Sequence, residues 1–142
     1  MSAKLGVDFL KVIADYSSKA NSFERWLRKI KITDGGAGRC VAEFTVSQAH
    51  LNVAGKLHSG LTATIIDNLT TYALMSRPSH PGVSVDLKVR YLEPAKENDE
   101  LVIDANTVRA GKNLAFVECE LRRKRDGKII AKGVQTKYIN FE

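Results

Sequence analysis

Residues 60–76, GLTATIIDNLTTYALMS, constrain this chain more than any other stretch. Ile65, Ile66, Leu69, Tyr72 and Ala73 recur at helical spacing, and Asp67 is the only residue in the stretch charged at neutral pH. On a helical wheel of about 100° per residue the apolar group fills the arc opposite Asp67. Ala63, Thr64, Thr70 and Thr71 fall within about 60° of it, and Leu74 joins that sector two turns on. So wide an apolar face calls for a sheet wrapped around the helix. The narrow stripe of small, uncharged side chains around one acid suits an enclosed surface, either a protomer interface or a pocket wall. The stretch is no membrane span, because Asp67, Asn68 and five threonines or serines interrupt it before ~18 apolar residues accumulate.

The flanking sequence supplies the sheet. Residues 29–33 read as a strand, the glycine-rich 34–39 as a turn, and Cys40, Ala42, Phe44 and Val46 alternate onto one face of a second strand. After the helix two prolines in 77–82 end the helical pattern. In 83–92 Val83, Val85, Leu87, Val89 and Tyr91 alternate with Ser84, Asp86, Lys88 and Arg90. Strands at 101–108, 114–122 and 129–139 follow, with hairpin turns at 109–113 and 124–128. The expected plan is α+β: an N-terminal helical segment over 1–28, a strand pair, a buried helix near Ser59 onward, and an antiparallel meander of four strands. Leu5, Phe9 and Ile13 recur every four residues and should mark the buried face of the first helix.

With 142 residues, 44% hydrophobic and 27% charged, the chain is one globular domain spanning 1–142. It has no basic-then-apolar leader of the secretory type, and Asp8 and Asp15 fit poorly with a transit peptide. Two distant cysteines, Cys40 and Cys119, suggest neither a disulfide framework nor a metal site, so reduced core thiols and a cytoplasmic or mitochondrial setting are expected. The net charge of +6 asks for an anionic partner. Aromatics are few and not interleaved with the basic residues, so a phosphorylated small molecule is preferred to nucleic acid.

An enclosed carboxylate is costly unless partnered, and Asp67 is read equally as a structural ion-pair member or as a catalytic group. The motif His58-Ser59-Gly60 places Ser59 near the helix N-cap, where free N–H groups and the helix dipole can receive an anion or a developing oxyanion. A plain capping serine is the other reading.

The spacing Asn52…His58-Ser59-Gly60…Asp67, the strand GVSVDLKVRYLEPAK and the turn RAGKNLAF, in that order, resemble the hotdog-fold thioesterases of the phenylacetate-pathway type. The match runs over nearly the whole chain, including NSFERWL near the start. The resemblance implies a long central helix wrapped by a curved antiparallel sheet. It also implies a homodimer or homotetramer with active sites between protomers and no cofactor, coenzyme A being part of the substrate. By that match Asn52 and the Ser59 N–H hold the oxyanion, with Gly60 beside them. Asp67 of the neighbouring protomer acts as general base or nucleophile, Ser84 places the water, and His58 supports the helix start. Coenzyme A contacts are implied at Tyr91, Leu92, Glu93, Pro94, Ala95 and Lys96, at Arg109, Ala110, Gly111, Lys112, Asn113 and Leu114, and at Tyr138. Two positions depart from the family: Ser59 stands where a glycine is usual, and Gln135 where its closest members have histidine, so Gln135 is expected to do little.

The expected function is hydrolysis of medium- to long-chain fatty acyl-CoA. Two rivals stand beside it. A hotdog hydratase would want a His–acid pair in one site, and a non-catalytic acyl-CoA or lipid-binding module would not need Asp67.

Overall fold

A computed structural model describes residues 5–141. Helix α1 (Val7–Lys19) is followed by a 3-10 turn at Phe23–Leu27, strands β1 (Lys31–Gly36) and β2 (Arg39–Thr45), and a second 3-10 turn at Gln48–His50. Then come the central helix α2 (Ser59–Met75) and strands β3 (Val83–Tyr91), β4 (Glu100–Ala110), β5 (Leu114–Arg123) and β6 (Ile129–Tyr138).

All six strands form one antiparallel sheet, ordered β1-β2-β4-β5-β6-β3. The sheet wraps α2. Ile65, Ile66, Leu69, Tyr72 and Ala73 are buried against Cys40, Ala42, Phe44, Leu101, Ile103, Ala105, Cys119 and Leu121. These are the alternate residues of β2, β4 and β5, so the two sequence periods, 3.6 and 2, meet in one core. The helix lies close on β6: a Cβ at Gly133 would stand 2.6 Å from Ile66 Cγ2, so glycine is required there.

Four expectations need correction. First, β1 runs on through Gly36, and the turn is confined to Ala37 and Gly38, both at positive φ. Second, Leu5 precedes α1, where its N–H donates to the Ser76 carbonyl, and the residue α1 buries completely is Leu10. Phe9 and Ile13 pack at the edge of the core.

Third, the last four strands are not a meander. Only β4-β5-β6 run in sequence order, and β3 pairs with β6 at one edge of the sheet, opposite the β1 edge. Fourth, β3 does not alternate as its sequence suggests. Its register slips between Ser84 and Asp86, with Ser84 opposite Lys137 and Leu87 opposite Gln135. Lys137 and Gln135 both reach α2, so their partners Ser84 and Leu87 share the helix-facing side. One extra residue in a bulge reverses the phase of everything before it. Ser84 thereby moves from the outer face, with Asp86 and Lys88, to the inner one.

Candidate active site

Two clusters line the groove along α2. The first gathers at its N-terminus. Residues 51–57 form a tight loop, closed by a Leu51–Leu57 bridge and by the Asn52 N–H on the Lys56 carbonyl at 2.7 Å. Asn52 Oδ1 accepts from the N–H of Ala54 (2.9 Å) and of Lys56 (3.1 Å). With its oxygen held twice, the amide presents Nδ2 as a donor. The Leu57 N–H donates to the Ala95 carbonyl, which ties the loop to the segment after β3, and Tyr91 Oη donates to the Ser59 carbonyl at 2.8 Å. Asn52, Ser59, Tyr91, Leu92, Glu93, Pro94 and Ala95 therefore line one pocket of about 290 Å³.

The N-cap of α2 is His58, one residue before the expected Ser59. His58 Nδ1 accepts the Gly60 N–H at 2.9 Å, so the neutral ring carries its proton on Nε2. A Cβ at Gly60 would sit 3.0 Å from that ring, which explains the glycine. The Gly60 N–H is thus spent on the cap, and among the described residues the N–H groups of Ser59 and Leu61 find no acceptor, so both are left as donors at the helix end. On the other side of this end lies a largely apolar pocket of about 380 Å³ between Phe23, Trp26, Leu51, His58 and Leu61. His50, behind it, is buried edge-on to Phe44, and burial, helped by Lys29, holds its imidazolium below the usual histidine range.

The second cluster surrounds Asp67. Ser84 Oγ lies 3.2 Å from Asp67 Oδ1 and also bonds Gln135 Oε1. Gln135 Nε2 donates to Thr70 Oγ1 at 2.9 Å. Lys137 is 4% exposed and donates to Thr71 Oγ1 at 2.7 Å. Burial lowers the tendency of the Lys137 ammonium to keep its proton, and the Asp67 carboxylate opposes that. No carboxylate of the described residues comes within 4.0 Å of Lys137 Nζ. The sequence reading missed Lys137 and discounted Gln135. The available signal was their alternation on the last strand, which puts both on the helix side with Ala131 and Gly133.

The chain does not bring the two clusters together. Asp67 is eight residues beyond Ser59, or about 12 Å along the helix axis. The expected coenzyme A contacts also divide. Tyr91 pairs with Ala131, whereas Leu114 pairs with Tyr138 at the far end of β6. At about 3.3 Å per residue that separates the two blocks by roughly 23 Å. Residues Arg109, Ala110, Gly111, Lys112, Asn113 and Leu114 therefore sit at the Ser84 end of the sheet with Tyr138, whose ring meets Phe141 edge-on at 5.6 Å. Lys96 is exposed at the opposite end, bridged to Lys56.

A long helix wrapped by a six-stranded antiparallel sheet defines a hotdog fold, and the N–H donors at the helix start and the acid in its middle are its candidate site. The chain belongs to the thioesterase superfamily, whose sequence profile matches residues 54–130. Within it the chain is 41% identical over 131 residues to acyl-coenzyme A thioesterase 13 of Homo sapiens, covering 92% of this chain and 94% of that one. The crystal structure of zebra fish thioesterase superfamily member 2 superposes with a TM-score of 0.93 at 35% identity, covering 96% of this chain and 99% of that one. The Mus musculus thioesterase superfamily member 2 structure gives 0.86 at 38% identity, with 93% and 96% covered.

Proposed function

We propose that this thioesterase hydrolyses medium- to long-chain fatty acyl-CoA to free acid and coenzyme A, without a cofactor, in a site completed by a second copy of the chain. The observation that carries this reading is the separation of donors and base. The N–H donors and Asp67 lie about 12 Å apart in one chain, and the two coenzyme A blocks lie at opposite ends of the sheet. A two-fold axis beside the open β3 edge answers both separations. Antiparallel pairing of β3 with its copy sets the Tyr91 end of one chain against the Ser84 end of the other. That edge exposes Val83, Val85, Leu87 and Tyr91, and burying them drives the pairing.

In such a site the thioester carbonyl rests against Asn52 Nδ2 and the Ser59 N–H. The partner's Asp67 takes a proton from water as water attacks the carbonyl carbon. Negative charge develops on the carbonyl oxygen, where the two donors stabilise it. The carbon–sulfur bond then breaks and the proton returns to the leaving thiolate. His58 and Gly60 hold the helix end in place. Ser84 places the water. The acyl chain lies in the apolar pocket beside Phe23 and Trp26, and the nucleotide phosphates meet Lys96 of one chain and Arg109 and Lys112 of the other. Cys40 and Cys119 are free and buried, burial pushing the Cys40 thiol up to about 12. Unreactive core thiols suit a reducing compartment, cytosol or mitochondrion.

A panel of acyl-CoA thioesters of rising chain length, assayed for released thiol, tests the proposal. Turnover that peaks at medium to long chains supports it. Tight acyl-CoA binding with no thiol release would replace it with the binding-module reading.

A further inference from the structure

Gln135, 2% exposed, links the sheet to the helix beneath Asp67. Its Nε2 donates to Thr70 Oγ1 at 2.9 Å and points at the Asp67 carbonyl oxygen, 3.5 Å away. The Thr70 hydroxyl spends its own proton on the Ile66 carbonyl at 2.7 Å, so Thr70 can only accept from the amide. Two acceptors on the helix side fix the amide orientation, with Nε2 toward α2 and Oε1 toward β3. Oε1 is a pure acceptor, and its partner is the Ser84 hydroxyl. The same Ser84 Oγ lies 3.2 Å from Asp67 Oδ1. A serine has one hydroxyl proton, and an ionised carboxylate and an amide oxygen both require it.

We propose that Gln135 is a positioning residue for hydrolysis, which competes with Asp67 for the single proton of Ser84 and, by taking it, makes Ser84 an acceptor for the attacking water. The proposal rests on the reading of Asp67 as the base. With the Ser84 proton held by Gln135, a water can give one hydrogen toward Asp67 and the other to the Ser84 lone pair, leaving its own lone pair for the carbonyl. With the proton turned toward Asp67, the carboxylate is satisfied. It is then a weaker base, and Ser84 no longer receives the water. The charged group facing Asp67 is Lys137 from β6; Tyr72 lies on the opposite arc of α2, in the core, and Asp67 is the least of the influences on it. The residues that β3 and β5 turn inward here, Ser84, Leu87, Ala115 and Val117, do not titrate. These surroundings are the same in every variant below.

The test is the pH dependence of acyl-CoA hydrolysis for Gln135→Met, Thr70→Val, Ser84→Ala and the Ser84→Ala/Gln135→Met double variant, with Asp67→Asn run alongside. In Gln135→Met the freed Ser84 proton turns to Asp67. The acid limb of kcat/KM should move to lower pH, and plateau kcat should fall several-fold. KM should hold, because Gln135 does not touch substrate. Thr70→Val removes the acceptor that orients the amide and should give a smaller shift in the same direction, which keeps the test alive if Gln135→Met fails to fold. The double variant should match Ser84→Ala alone, since Gln135 acts only through that hydroxyl. An unmoved acid limb in both Gln135→Met and Thr70→Val, or a Gln135 effect that adds in full to Ser84→Ala, overturns the proposal. An inactive Asp67→Asn beside that result confines the failure to Gln135. An Asp67→Asn enzyme at wild-type rate overturns the base assignment and this proposal together.

Discussion

The two ends of the α2 groove are built by different means. At the helix start almost every constraint is backbone: the loop closed on Asn52, the N–H groups of Ala54 and Lys56 on its side-chain oxygen, and the Leu57 N–H on Ala95. Around Asp67 the constraints are side chains from three elements, with Ser84 from β3, and Gln135 and Lys137 from β6, meeting α2. The first end offers donors and the second an acceptor. Backbone donors cannot change sign and need no tuning. A carboxylate can gain or lose a proton, and the polar groups around it decide how well it works. In the proposed two-chain site each half is completed by the other chain, and separate damage to the two halves tests that.

The sharpest break comes from disabling the halves separately. Asp67→Asn should lower kcat by roughly 10²-fold or more, the scale of a lost general base. Asn52→Ala should lower it by about 10²–10³-fold, the scale of one oxyanion donor. Neither should unfold the chain, because each side chain is only partly buried. Mixed in equal amounts after subunit exchange, the two inactive variants should recover about a quarter of wild-type activity, since one site of each hybrid dimer is intact. No recovery after exchange proven by mass spectrometry would place donors and base within one chain.

A smaller effect separates nucleotide binding from chemistry. Arg109→Ala with Lys112→Ala should raise KM for acyl-CoA roughly tenfold while sparing kcat, because phosphate contacts are made equally before and during the reaction. Hydrolysis of a short thioester without the nucleotide should hardly change. Equal loss on both substrates would assign these residues to the fold.

Packing gives the next test. Gly133→Ala pushes a methyl group into Ile66 and should cost about 1–3 kcal/mol in denaturant unfolding. Little loss would mean that α2 lies less firmly on β6 than the 2.6 Å approach requires.

The smallest effect concerns pH and the donor end. The folded state disfavours the His50 imidazolium, so the unfolded chain binds that proton more readily. The stability it contributes is complete above the unfolded value near 6.5 and is lost as pH falls below it. His50→Gln should flatten the fall in Tm between pH 7 and 5, and an unchanged slope would point to other groups.

The sequence by itself determined the local parts. The 3.6-residue period of 60–76 and the two-residue period of 40–46 and 101–122 state which faces are apolar, and those faces are the core. The His58 region and Asp67 stood out because glycine-flanked helix starts and lone acids on apolar helices are local anomalies. What tertiary structure decided is non-local. Strand order is set by which edges remain free once β4, β5 and β6 have paired, and no periodicity in β3 records that its neighbour is β6. The bulge at Val85 turns Ser84 inward, a register choice made by the fit of β3 to β6. Gln135 and Lys137 looked like ordinary polar positions in an alternating strand. They join the cluster around Asp67 only because α2 packs over them, where a buried amide or ammonium must find partners that water would otherwise supply.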